Sequence, residues 1–237
     1  MYRLVLLRHG QSEWNKEQRF NGWTDVDLSS RGVQEAKLAG SLLLESGYHF
    51  DVVYTSMLKR AIRTAWYVSL EMGAAWLPIV KSWCLNERHH GALEGLKKNE
   101  TLQRLGEEQV LIWSRSYEGT PPPISQTEHD ALLHDPRYHH IPEHVVPFSE
   151  SLKDTVVRLS PYWFSEITPQ IQQGKQVLIV GHNDSLRALV KILDGVSDED
   201  IPMVNIPTGI PLIYELDDDF KPLDKFYLGE VPRRLVF

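Results

Sequence analysis

Three short apolar runs, each ending abruptly at a chemically capable residue, constrain this chain most. Tyr2–Leu7 runs into Arg8-His9-Gly10, Phe50–Tyr54 into Thr55-Ser56, and Val177–Val180 into Gly181-His182. Runs this short and apolar read as buried strands. Helical patterns lie between them. Ser29 caps a segment that runs to Gly47 with Ala36, Ala39 and Leu43 on one face. A second segment, about Met57 to Met72, has Leu58, Ile62 and Ala65 at helical spacing. Leu152, Val156, Leu159 and Trp163 mark a late helix behind the caps Ser149 and Ser151, and Pro211–Leu216 reads as a fourth strand. Strand alternating with helix gives an α/β fold with a mostly parallel central sheet and helices on both faces. Arg8, His9, Ser56 and His182 then gather at the carboxyl ends of strands, where open α/β sheets bind ligands.

The pattern changes over about Glu94 to Pro147. A helix expected over Glu100–Trp113 gives way to a Pro-rich and His-rich stretch without periodicity. This reads as an irregular insertion covering the site, within one domain spanning residues 1–237. Its histidines, His129, His134, His139, His140 and His144, read as a surface loop. Trp66, Trp76, Trp83 and Trp113 read as core or interface packing.

The formal net charge of -7 argues against a nucleic-acid surface, which calls for a basic balance. No apolar run approaches the roughly 20 residues that span a bilayer. The first residues reach Arg8 too soon for a secretory h-region. The single cysteine, Cys84, cannot close a disulfide within the chain and fits a reducing compartment. A cytoplasmic protein without nucleic-acid or membrane partners is the expectation.

Four clusters carry chemistry. A neutral imidazole at His9 is a competent nucleophile near neutral pH. Arg8 can bind phosphoryl oxygens through its fork of donors, and Gly10 allows a close backbone approach. Ser56 opens a helix whose N-terminal amides favour anions, and Arg60, one turn in, can reach the same anion. Glu87 is a candidate general acid/base. His89 and His90 are adjacent on an extended stretch and point to opposite faces, which makes a poor chelate, so no metal is expected. His182, after another strand, can stabilise charge on a transferring phosphoryl group.

Seven stretches taken in order, LVLLRHGQSEWN, NGWTDVDLS, YTSMLKRAIRTAW, LNERHHGALEGL, ESLKDT, SLRALVK and IPTGIPLIYELD, resemble the cofactor-dependent phosphoglycerate mutases, a branch of the histidine phosphatase superfamily. The resemblance implies that His9 carries the phosphoryl group, that Glu87 exchanges protons with the substrate hydroxyl, and that His182 stabilises the transition state. It implies that Arg8, Arg60 and Asn15 hold phosphoryl oxygens, with Ser12, Gly22, Arg88, Lys98 and Arg115 lining the substrate site. The implied reaction interconverts 2- and 3-phosphoglycerate, primed by 2,3-bisphosphoglycerate and needing no metal. A small phosphorylated sugar acid is the implied substrate, and a homodimer the implied assembly.

The departures from the mutase pattern fall among the same substrate-site positions. Asn183-Asp184 stands where mutases usually carry Gly-Asn, His90 where they carry Tyr, and Ser114-Arg115 where they carry two arginines. Asn21 replaces Thr, Ser or Gly. Glu230–Phe237 stands in place of a lysine-rich tail that closes over the site, which leaves the site more open to water. An added carboxylate at Asp184 is expected to repel a phosphoryl group, by roughly 3 kcal/mol at about 5 Å and an effective dielectric near 20. The alternative reading is a histidine-type phosphatase of small phosphoesters, including bisphosphoglycerate. A third is a non-catalytic relative that binds a partner.

Overall fold

The computed structural model describes residues 1–229. Its elements are β1 (Tyr2–Arg8), α1 (Glu13–Lys16), α2 (Ser30–Glu45), β2 (Val52–Thr55), α3 (Lys59–Glu71), β3 (Ile79–Lys81), α4 (Lys98–Leu105), α5 (Glu107–Arg115), α6 (Gln126–Leu133), α7 (Leu152–Tyr162), α8 (Thr168–Gln172), β4 (Val177–Gly181), α9 (Asn183–Asp194), β5 (Leu212–Leu216) and β6 (Pro222–Tyr227). The strands form one sheet in the order β3-β2-β4-β1-β5-β6. β3, β2, β4 and β1 run parallel, whereas β5 and β6 are antiparallel to their neighbours. The sheet is thus mixed, with the parallel part bearing the site.

The apolar runs have the composition they do because both faces of the sheet are covered. Leu4, Leu6, Val52, Tyr54, Val177 and Ile179 point into a core with Leu152, Leu159, Trp163, Leu186 and Leu189 of the late helices. The alternate residues Val5, Leu7, Val53, Leu178 and Val180 pack on Ala39, Leu43, Ala61, Ala65 and Val68 of α2 and α3. Period-two alternation sends each neighbour to the opposite layer. Ser29 caps α2, as expected, by accepting from the Gly32 amide. Ser151, not Ser149, caps α7 in a reciprocal box with Asp154.

Register brings the reactive residues together. Arg8 is level with Gly181 across β1 and β4, and Thr55 with Val180 across β2 and β4. The next residue in each chain, His9, Ser56 or His182, therefore emerges at one sheet edge. The His9 amide donates to the Gly181 carbonyl at 3.0 Å, which holds the first loop beside the third.

The insertion is more regular than its composition suggests. The expected helix over Glu100–Trp113 is two helices, α4 and α5, broken at Gly106, whose φ of 88° no helix accommodates. The stretch expected to lack periodicity contains α6, started by a capping box between Ser125 and Glu128. His129 leaves the expected surface loop: it is buried, stacks on Phe148 at 3.8 Å, and its Nε2 lies 2.9 Å from the Val146 carbonyl. Trp23, Tyr138, Ile141 and Val146 form a small core there, with Trp83 against it. Trp66 and Trp76 are exposed, which removes them from the core. β3 and β6 had no sequence signal: β3 has only three residues, and β6 is an edge strand rich in charge. No helix among the described residues is long and apolar enough to cross a membrane. Glu230–Phe237, the segment read as leaving the site open, lies outside the described residues.

The loop after β1 leaves no room where it crosses the start of α2. A Cβ on Gly32 would lie 2.0 Å from the Gln11 carbonyl oxygen, and one on Gly10 would lie 2.1 Å from the Gly32 oxygen. Backbone cannot swing aside as a side chain can, so Gly32→Ala is expected to cost about 3 kcal/mol by urea denaturation. An unchanged midpoint would mean that the His9 loop and α2 separate freely.

Candidate active site

His9 sits one residue beyond β1, almost fully buried. Its Nδ1 lies 2.7 Å from the Gly10 carbonyl oxygen. A carbonyl only accepts, so the ring proton is on Nδ1 and the lone pair is on Nε2. Burial, and then the charges of Arg60 and Arg8, push the His9 pKa well below the usual histidine value. The ring is therefore a neutral nucleophile with its tautomer fixed.

His182 meets it edge-on, with ring centroids 4.9 Å apart. His182 Nε2 is 2.8 Å from the Ser56 hydroxyl, while its Nδ1 is buried and unpartnered among the described residues. Burial, Arg60, His9 and Arg8 keep this ring neutral as well. Arg60 is fully buried and donates to the Gly22 carbonyl at 2.7 Å and the Thr24 carbonyl at 2.9 Å. Arg8 donates to the Ile206 carbonyl at 2.7 Å. The Nε of each arginine is buried without a partner among the described residues. Two buried guanidinium N–H donors and the unpartnered His182 ring nitrogen, grouped with a neutral imidazole, form a site that wants an anion.

Glu87 is held by its own surroundings. Its Oε1 accepts from the amides of Arg88 and Asp184, each at 3.0 Å. Burial first, then the Asp184 charge, raise its carboxyl pKa against the opposing pull of Arg60 and Arg8. A carboxyl raised in this way can carry a proton nearer to neutrality, as a general acid must.

Asp184 does not act as the expected repulsive charge. Its carboxylate lies between two buried guanidiniums, 2.8 Å from Arg88 Nε and 2.8 Å from Arg187 Nη1. Burial pushes this carboxyl up, but Arg88 and Arg187 outweigh it and hold the group well below the carboxylate range. With two positive partners at contact distance the trio carries a net positive charge, and the roughly 3 kcal/mol repulsion expected for a lone carboxylate does not apply. Arg88 Nη1 and Nη2 donate to the Trp113 and Ser114 carbonyls, at 2.6 and 2.9 Å.

A cavity of about 160 Å³ opens beside these groups. Of the residues singled out in the sequence, Arg8, Asn15, Asn21, Glu87, His90, Lys98, Ser114, Arg115, Asn183 and Asp184 line it. His9, Arg60 and His182 are buried at the adjoining strand edge. Ser12, Gly22 and Arg88 do not line it. Ser12 caps α1 and donates to Asn21. Gly22, at φ 54°, supplies a carbonyl to Arg60 and leaves space for the Glu94 carboxylate. Arg88 reaches the cavity only through Asp184. Of the adjacent histidines, His90 packs near Phe20 and His89 near Trp23, so they face different neighbours. Sequence reasoning missed Arg19, Phe20 and Asn99 of the lining, and the apolar Leu102, Val110 and Leu111 beside them. Arg19 and Phe20 directly precede the matched Asn21-Gly22, and that adjacency was their only signal. Burial, then Arg8 and Arg115, lower Lys98 to about 8, so the far part of the cavity is crowded with positive charge.

The model of the histidine phosphatase superfamily (branch 1) matches residues 4–132, and the chain belongs to that superfamily of phosphoryl-transfer enzymes. Among solved structures, the mycobacterial glucosyl-3-phosphoglycerate phosphatase in complex with VO3 is 21% identical, with a TM-score of 0.71 over 96% of this chain and 97% of that one. The α-ribazole phosphatase of Shigella flexneri is 23% identical, with a TM-score of 0.68 over 94% of each chain. Bacillus stearothermophilus YhfR is 25% identical, with a TM-score of 0.69 over 91% of this chain and 92% of that one. These likenesses establish the fold, an α/β sheet of the phosphoglycerate-mutase-like kind.

Buried neutral histidines tie stability to pH. His9, His90 and His182 all titrate well below their unfolded value. Below pH 6.5 the unfolded chain binds a proton at each that the folded chain refuses, so stability falls as pH drops. The loss is about 1 kcal/mol per histidine over the first unit below 6.5. Glu87, raised in the fold, binds its proton at a higher pH than the unfolded chain does and so offsets part of this loss. Urea denaturation at pH 7.5, 6.5 and 5.5 is expected to show the decline, reduced by about a third in His90→Asn. A flat profile would mean that these rings accept protons in the folded protein.

Proposed function

We propose that this protein is a phosphatase that hydrolyses small phosphomonoesters through a phosphohistidine at His9. The observation that carries the reading is the pairing of the Nδ1-protonated, neutral His9 with the unpartnered Nε donors of Arg8 and Arg60, beside the neutral His182 ring. Those donors take the phosphoryl oxygens. His9 Nε2 attacks phosphorus as the ester P–O bond breaks, and Glu87 gives its proton to the departing alcohol oxygen. Glu87, now ionised, takes a proton from water, and the hydroxide attacks the phosphohistidine. Phosphate leaves, and His9 and protonated Glu87 are restored.

Two features favour water over a second sugar hydroxyl as acceptor. Arg88, which the mutase resemblance assigns to substrate, does not line the cavity and points its fork at Asp184, Trp113 and Ser114. Ser114 stands where mutases carry a further arginine. The cavity thus lacks two of the guanidinium contacts that would hold a bisphosphate in both orientations. Solved structures that share the fold include phosphatases. The alcohol portion of the substrate carries an anionic group of its own, matched to Lys98 and Arg115.

That same positive cluster favours a second reading, the 2,3-bisphosphoglycerate-primed interconversion of 2- and 3-phosphoglycerate. Phosphate release and isomer conversion measured in the same tubes separate the two. We expect phosphate release without priming, reduced at least about a thousandfold in His9→Ala. Conversion that needs 2,3-bisphosphoglycerate and releases no phosphate would replace the phosphatase with the mutase. The KM for a phosphate ester bearing a carboxylate should rise above a pH of about 8, as Lys98 loses its proton, and Lys98→Arg should abolish that limb. A KM independent of pH there would remove Lys98 from substrate binding.

A further inference from the structure

Arg158, on α7, does not line the cavity, and its side chain is only 7% exposed. Its guanidinium nonetheless binds the chain that carries Glu87. Nη1 donates to the Cys84 carbonyl at 2.7 Å, and Nη2 to the Asn86 and Glu87 carbonyls at 2.9 and 3.0 Å. Glu150 fixes Arg158 in turn, with Oε1 2.6 Å from Nε and Oε2 3.1 Å from Nη2. The same Glu150 Oε2 accepts from the His89 amide at 2.8 Å. The pair therefore grips the backbone on both sides of Glu87.

That backbone has no other regular support. A 3-10 turn ends at Leu85 and the next begins at Gly91, so Glu87 lies in a stretch with neither helix nor sheet ladder. Buried carbonyls in such a stretch need donors. Arg158 supplies several from one rigid fork, and Trp23 Nε1 adds another to the Glu87 carbonyl at 2.7 Å. We propose that Arg158, held by Glu150, is the positioning residue that aims the Glu87 carboxyl for proton transfer. This rests on the reading of Glu87 as the acid in the proposed hydrolysis. A lysine in its place keeps the charge but cannot span three carbonyls, since it offers one nitrogen instead of a planar fork.

Leaving-group chemistry distinguishes positioning from mere support. p-Nitrophenolate departs without a proton, whereas an alkoxide needs one. The quantity to compare is kcat/KM, which reports the steps up to loss of the alcohol, for p-nitrophenyl phosphate and for an alkyl phosphate such as 3-phosphoglycerate. Arg158→Lys is expected to lose about a hundredfold more with the alkyl ester than with the aryl ester, the scale of a 1 Å misplacement. Glu87→Gln should show the same asymmetry. Equal losses on both esters in Glu87→Gln would sink the acid assignment itself. Asymmetry in Glu87→Gln with equal losses, or none, in Arg158→Lys would overturn the positioning role alone. Should Arg158→Lys not fold, Glu150→Gln tests the same point. It keeps an oxygen for the His89 amide but weakens the hold on Arg158, and the expected result is a smaller loss of the same asymmetric kind. A symmetric loss in that variant would likewise overturn the proposal.

Discussion

Guanidinium groups buried against main-chain carbonyls hold this site together. Arg60 donates to Gly22 and Thr24, Arg8 to Ile206, and Arg158 to Cys84, Asn86 and Glu87. A carbonyl pairs a donor without cancelling its charge, unlike a carboxylate. Burial without a full countercharge is costly, and only many good hydrogen bonds make it tolerable. The positive field left over does two things. It adds to burial, the larger cause, in keeping His9 and His182 neutral, and it presents unpaired N–H groups to an incoming phosphoryl group. Where a carboxylate is used, it is shared: Asp184 lies between Arg88 and Arg187, and Glu150 serves both Arg158 and the His89 amide.

The same bonds close the molecule around the cavity. Arg60 on α3 holds the loop at Gly22–Thr24, and Arg88 holds the end of α5 through Trp113 and Ser114. Arg187 on α9 reaches the Arg115 and Ile201 carbonyls. Each side of the cavity is thus anchored to the strand edge through a charged side chain. The insertion is coupled electrostatically to the chemistry it covers, although little of its sequence advertises this.

Much of the fold was legible because burial on both faces leaves an unmistakable apolar run, and because each run ended at a residue with chemistry. Arg8, His9 and His182 were found that way and are brought together by register, whereas Arg60 was read one turn into the helix behind Ser56 and Glu87 from the Asn86-Glu87-Arg88 stretch. Other features left weaker marks. β3 is too short for alternation, and β6, an exposed edge strand with Asp224 and Lys225 side by side, has none. Gly106 could have announced the break between α4 and α5, and Ser125 with Glu128 is a readable capping box hidden among histidines. Asp184 was read as repulsive because sequence shows a carboxylate but not the guanidinium of Arg88, remote in the chain, folded against it. Arg158 was missed altogether, since its acceptors are carbonyls, which every residue possesses.

The protonation state of His9 is the point on which this account stands, and ¹⁵N NMR of the imidazole reads it directly. In the free protein at pH 6.5, the account predicts a neutral His9 ring with Nδ1 protonated and Nε2 bearing a lone pair. An imidazolium at that pH, or a ring protonated on Nε2, would contradict it, because neither form leaves a lone pair on Nε2 to receive the phosphoryl group.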